Sequence, residues 1–213
     1  MNATPDTDAP DHSITSVEQL EALYGQPKGG AVTKEIDYIS DHYKAFIEKA
    51  PFVVIATGGP EGLDTSPRGD PAGFVRVDGN HTVLIPDRRG NNRLDTLKNI
   101  VRDPRAALIF LIPGVGETLR VNGRASITTD PDLCESFAIN GKPPKSVICV
   151  TAERVYFQCQ KALIRSRLWD PEARVDRSTL PTAGDIIEAL STDGFDGKAY
   201  DEGYPAYMKE VIY

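Results

Sequence analysis

The chain has 213 residues, 40% of them hydrophobic and 26% charged, which suits one sizeable globular core. Its formal net charge of −7 argues against a broad nucleic-acid or anionic-membrane surface, yet leaves room for a local arginine cluster around one small phosphate. Three widely spaced cysteines (Cys134, Cys149, Cys159) and three scattered histidines (His12, His42, His81) suggest neither a disulfide framework nor a metal centre.

Residues 1–14 read as a disordered tail rich in Asp, Thr and Pro, without the basic start and apolar stretch of a signal peptide. No apolar run approaches a membrane span, so a cytoplasmic protein is expected. Residues 15–213 are expected to form a single domain with helical extensions at both ends. Ser16 and Gln19 form a capping-box pattern opening a short helix that Gly25 stops. A second helix is predicted over about 33–49, with Ile36, Ile39, Tyr43, Phe46 and Ile47 at helical spacing and Pro51 closing it.

The pattern then turns to strands: FVVIAT (52–57), segments around LDTSPR, GFVRVD and TVLIP, then RAALIFLI (105–112), TLRVNGRASIT (118–128) and SVICVTAERVYFQC (146–159). RAALIFLI is apolar throughout, as for a strand buried on both faces. Helices are predicted over 91–103, from an Asp130-Pro131 start through Phe137, and from a Thr182/Asp185 cap through Leu190. About six short-linked strands with few crossover helices point to an α+β fold, an antiparallel sheet curled into a barrel with helices outside.

The strongest constellation lies between Ser66 and Arg93. SPRGD puts Arg68 at the end of an extended segment, and IPDRRGNNRLDTLKNI brings Arg88, Arg89 and Arg93 to the start of a helix. Phosphate favours forked guanidinium donors, and a helix N-terminus adds N–H groups and a favourable dipole; the Asn91 and Asn92 amides would complete the set. The same arginines also read as solvated turn residues paired with Asp70, Asp87 or Asp95. In a second constellation, Lys161, Arg165, Arg167 and the only tryptophan, Trp169, follow the last strand. These residues offer a flat aromatic face and positive charge; a lone Trp equally serves as a core or interface anchor. Cys159 has no histidine near it in sequence and reads as a small hydrophobe. The tail at 200–213, with four of the eight tyrosines, either covers a neighbouring subunit's site or packs on its own barrel.

From about residue 35 to 170 the chain resembles the pyridoxamine 5'-phosphate oxidase-like family, the FMN-binding split-barrel proteins. The resemblance rests on FVVIATGGPEGLDTSPRGD, VLIPDRRGNNRLDTLKNIVRDPRAALIFLIPG, TLRVNGRASI and YFQCQKALIRSRLWDP. It implies a six-stranded antiparallel Greek-key split barrel, usually a homodimer, with one FMN at each of two subunit interfaces. By position, Ser66 and Arg68 close the second strand near the FMN phosphate or ribityl chain. Pro86 and Asp87 fall where the backbone meets the flavin ring. Arg93 matches the phosphate-gripping arginine, with Asn91 and Asn92 as loop donors and Arg88 as a second phosphate ligand or a surface residue. Lys161 and Trp169 fall near the flavin. The oxidase's Arg-Lys pair reads Arg93-Leu94 here, and RSRLWDP stands where the vitamin B6 substrate would be held. The resemblance thus implies an FMN-binding oxidoreductase passing electrons from NADH or NADPH to a small substrate other than that vitamer, with no residue assigned a catalytic role. The alternatives are a flavin, deazaflavin or haem protein for storage or sensing, and a dimeric scaffold.

Overall fold

The computed structural model describes residues 12–213, so the tail predicted at 1–14 lies almost wholly outside the described residues. The chain divides into two compact units after Lys34. The first contains α1 (Val17–Tyr24) and α2 (Gly30–Thr33). Ser16 caps α1 by accepting from the Gln19 N–H, while the Gln19 carboxamide oxygen accepts from Thr15 N–H at 2.8 Å, one residue earlier than in a capping box. Gly25, at φ +73°, ends the helix.

The second unit, Glu35–Tyr213, corrects the helix predicted over 33–49. Ile36 and Val155 exchange backbone hydrogen bonds at 3.1 and 2.7 Å, and Ile39 N–H donates to the Asn80 carbonyl. These two isoleucines therefore reach the core from extended backbone. Only at Ser40, whose hydroxyl accepts from Tyr43 N–H, does α3 (Asp41–Lys49) start. Propensity loses here to backbone partners offered by the sheet.

Seven strands follow, not six: β1 (Phe52–Gly59), β2 (Gly62–Gly69), β3 (Arg76–Asp78), β4 (Thr82–Pro86), β5 (Arg105–Leu111), β6 (Thr118–Thr128) and β7 (Val147–Gln158). The extra member is β3, which pairs with β4 as a short edge hairpin. All pairings are antiparallel, in the order β2-β1-β5-β6-β7-β4-β3. The barrel is not closed, because no ladder joins the edges β2 and β3. Around the sheet lie α4 (Asp95–Arg102), α5 (Pro131–Ser136), α6 (Lys161–Ser166), α7 (Ala183–Leu190) and α8 (Gly197–Val211). Asp130 and Pro131 open α5 as the sequence predicts, and Thr182 with Asp185 forms a reciprocal capping box on α7. The helix predicted over 91–103 begins only at Asp95, because Asn92 and Leu94 adopt left-handed φ values of 59° and 61°.

Alternation builds the core. Val53 and Ile55 of β1, Leu108 and Phe110 of β5, Leu119 and Val121 of β6, and Val150 and Val155 of β7 point inward and are essentially inaccessible to water. Burial of each such side chain contributes about 1.5–3 kcal/mol. On β5 only one face is fully buried, so the strand predicted to be buried on both faces is half-exposed on the other. A bulge between Asn122 and Gly123 shifts the β6–β7 register. There a Cβ on Gly123 would lie 1.9 Å from the Thr151 carbonyl oxygen, so the ladder admits only glycine. The hairpin of α7 and α8 depends on a similar contact: a Cβ on Gly184 would lie 2.1 Å from the Gly197 oxygen.

Candidate anion and flavin site

The open edge of the sheet carries the charge. On β2, Asp64, Ser66 and Arg68 stand opposite Thr57, Ile55 and Val53 of β1, all three buried. Directly opposed residues share a face, so these polar groups point toward the inside of the sheet. Inward charge on an edge strand is one way a sheet avoids pairing with strangers. Pro67 lies between them, at a position tolerated in an edge strand.

Side-chain contacts, not backbone bonds, bridge the split. Arg68 Nη2 lies 3.8 Å from Asp87 Oδ1, just past β4. In the reverse sense, Asp70, just past β2, accepts from Arg88 Nε at 2.8 Å. The Asp70 side chain is 1% exposed, so this charge is almost wholly withdrawn from water and its partners matter. Arg88 Nη1 also donates to the Phe137 carbonyl at 2.8 Å, tying the loop after β4 to the end of α5. Tyr213 completes the group by donating its hydroxyl hydrogen to Asp70 Oδ1 at 2.7 Å. On the other side of Arg68, Asp64 accepts from the Thr96 hydroxyl at 2.9 Å and so joins β2 to α4.

Two features fit this place to a phosphate ester. Arg68 Nη1 donates to the Ser66 hydroxyl and, at 3.0 Å, to the Pro67 carbonyl, but its Nε is buried without a hydrogen-bond partner. A buried charged donor left unpaired costs about 1–3 kcal/mol or more, and an anion would remove that cost. Second, α4 has no side-chain cap, so its first N–H groups remain available. The loop reaches α4 through two left-handed residues, and for Leu94 that conformation costs about 1–2 kcal/mol. Strain of this kind gathers where a loop must present its backbone in one particular way.

The structure therefore brings Ser66, Arg68, Asp87 and Arg88 together. Pro86 is buried at the end of β4, and the Asp87 N–H is taken by the Ser146 carbonyl at 2.9 Å. Asn91, Asn92 and Arg93 are exposed on the loop into α4. Asn91 Oδ1 accepts from Arg93 N–H, and Arg93 pairs with Asp95 while 73% exposed, an ion pair worth little in water. The pairings with Asp70, Asp87 and Asp95 that the sequence offers as the alternative to a phosphate site are all present; only the Arg93 pair is freely solvated. Lys161 is exposed on α6, and Trp169 is half-buried with its indole N–H donated to the Val115 carbonyl at 2.8 Å. Neither is hydrogen-bonded or ion-paired with the site arginines. Thr96 carries a faint signal as the first-turn hydroxyl of α4. Tyr213 belongs to the tyrosine-rich tail at 200–213, but nothing in the sequence singles out its hydroxyl or pairs it with Asp70.

Charge at the site is unevenly settled. Burial pushes the Asp87 carboxyl above its ordinary range, and the Arg68 guanidinium offsets part of that rise. The hydrogen bond to Asp70 raises the Tyr213 phenol, keeping it a donor at neutral pH. Cys149 is raised by burial, and all three cysteines are free thiols. Among the described residues there is no cluster of metal-ligating side chains, and no helix is long and apolar enough to cross a membrane.

An open antiparallel sheet with helices around it, and arginines gathered at its split edge, defines an α+β protein whose charged side chains meet at the split. A sequence model of the family described as pyridoxamine 5'-phosphate oxidase matches residues 39–159, from just before α3 to the end of β7, and the chain belongs to that family. The family is of flavin-binding, oxidoreductase type. Among solved structures, HupZ of Group A Streptococcus is similar at 20% identity, covering 56% of this chain and 99% of that one, with a TM-score of 0.46. General stress protein 26 of Bacillus anthracis is similar at 15% identity, covering 53% and 88%, with a TM-score of 0.42. A protein related to general stress protein 26 from Clostridium acetobutylicum is similar at 14%, covering 55% and 86%, also with a TM-score of 0.42. The comparison with curated proteins finds no match.

Proposed function

We propose that this protein binds FMN at the split edge of its sheet and acts as an FMN-dependent oxidoreductase in the cytoplasm. The observation that carries this reading is the Arg68 Nε, buried and without a hydrogen-bond partner while Nη1 of the same side chain holds Ser66. In this reading Arg68 grips the phosphate with the uncapped start of α4. Arg93 leaves its exposed pairing with Asp95 to join it, and Asn91 and Asn92 supply amides. Arg88 holds the loop in place through Asp70 and Phe137. When bound, the isoalloxazine supplies the hydride or electron transfer. A homodimer would bring Lys161 and Trp169 of a second copy against the flavin. The sequence departures at Arg165–Pro171 and at Leu94 direct the reading away from vitamin B6 and toward another small substrate, with reduced nicotinamide as the donor.

A second reading, a flavin protein for storage or sensing, is favoured by one observation. The carboxylates around the site are committed to Thr96, Arg88, Tyr213 and Arg68, leaving no general acid–base pair.

The test is the visible spectrum of the purified protein with the released chromophore identified by mass. A flavin band near ~450 nm and FMN on release are expected. Arg68→Ala should weaken FMN binding by about 1.5–3 kcal/mol. A wild-type protein that is colourless and refuses added FMN overturns the proposal. Anaerobic bleaching of the bound flavin by NADH or NADPH separates the enzyme from the store.

A further inference from the structure

The segment after α8 leaves the helical hairpin and returns to the sheet, where it is held at two points. Lys142, in the loop between α5 and β7, donates from Nζ to the Tyr213 carbonyl oxygen at 2.8 Å. The Tyr213 hydroxyl donates to Asp70 Oδ1 at 2.7 Å, across 143 residues of sequence. Asp70 is not a surface carboxylate that happens to meet a tyrosine. Its side chain is 1% exposed, and its other oxygen holds Arg88, the residue next to Asp87 and at the root of the loop that leads into α4. One phenol therefore closes a chain of contacts running from the C-terminal segment through Asp70 and Arg88 to the candidate phosphate loop.

We propose that Tyr213 is a positioning residue for the phosphate end of that site, and that residues 212–213 act as a strap whose docking is coupled to anion binding; this rests on the FMN reading above. The physical chain is short. Without the phenol, Asp70 Oδ1 becomes a buried charged acceptor lacking its donor, a state that cannot persist unchanged. The carboxylate relieves it by turning toward water or toward another cation, and Arg88 loses its fixed partner. The loop that carries Asn91, Asn92 and Arg93 then loses its anchor, and an uncompensated negative charge stands near the place a phosphate would occupy. With the strap docked, Asp70 is neutralised by Arg88 and saturated by Tyr213, and it competes for nothing else. By reciprocity of coupled equilibria, a ligand that favours the ordered loop also favours the docked strap.

The phosphate gives the test its control. FMN and riboflavin share the ring and ribityl chain and differ by that group, so a strap acting on the phosphate end moves FMN and leaves riboflavin alone. Tyr213→Phe should weaken FMN binding by about five- to tenfold with riboflavin affinity unchanged. Lys142→Met, which releases the strap from its other anchor, should act in the same direction and less strongly. In the wild type, FMN should slow amide exchange across residues 208–213, and that slowing should vanish in Tyr213→Phe. If wild type and both variants bind FMN alike and exchange at 208–213 ignores the ligand, the inference falls while the cofactor reading stands. An equal loss of FMN and riboflavin affinity also overturns it, marking Tyr213 as a general structural contact. If the wild type binds no FMN at all, both readings fall together.

Discussion

The two flanks of the sheet are held by different forces. Along β6 and β7 every residue from Thr118 to Thr128 has a cross-strand partner, and the ladder runs through a bulge without parting. At the opposite flank, β2 and the exit of β4 are joined only by Arg68–Asp87 and Asp70–Arg88. The first flank consists of backbone amides, which do not titrate and which small solutes do not displace. The second consists of charged side chains that a proton or an anion can rearrange. A barrel left unclosed thus keeps its structural strength in one place and its chemical responsiveness in another.

Breaking the backbone flank should have the largest effect. Gly123→Val puts a branched side chain where a single Cβ already meets the Thr151 carbonyl, and is expected to destabilise by about 3 kcal/mol or more in chemical denaturation. Breaking the charged flank comes next. Asp70→Ala removes the shared partner of Arg88 and Tyr213 and should cost about 2–3 kcal/mol, tempered because Arg88 retains some access to water. Asp70→Asn should lie between that variant and wild type. The smallest effect is a matter of pH. Asp87 has a raised pKa in the native state, so the folded protein holds this proton more tightly than the unfolded chain. Its burial is then nearly neutral to stability below the ordinary carboxylate range, becomes increasingly destabilising as pH rises from that range to the native value, and costs a constant amount above it. Asp87→Asn should therefore gain stability on wild type at pH 7 and not at pH 3.5. A difference that is constant between those two pH values would show that Arg68 compensates the carboxylate fully.

Much of this was legible in the sequence, and the reasons are local. Each of the seven extended segments, GFVRVD included, is bounded by turn residues and could be found in the sequence; the expected count of about six falls one short because Arg76–Asp78 is a strand of only three residues. Arg68 could be placed at the end of an extended segment, and Arg88 and Arg93 ahead of a helix, because turn residues mark both places. The capping signals at Asp130 and Thr182 were readable too. What escaped was set by distant partners. Ile36 and Ile39 have helical spacing, yet Val155 and Asn80 draw them into extended backbone. Nothing near Leu94 announces a left-handed conformation. Trp169 finds its acceptor at Val115, 54 residues away, and Tyr213 finds Asp70 from the far end of the chain.

The polar inner face of β2 has a consequence for how this protein behaves when crowded. An unclosed sheet is ordinarily an invitation to its neighbours, because a free edge can template another strand. Here the edge presents Pro67, which has no N–H to offer, flanked by Ser66 and by an arginine whose charge would have to be buried by any incoming chain. A strand arriving at that edge would find no donor at Pro67 and would have to bury the Arg68 charge, so both features disfavour fibril growth there.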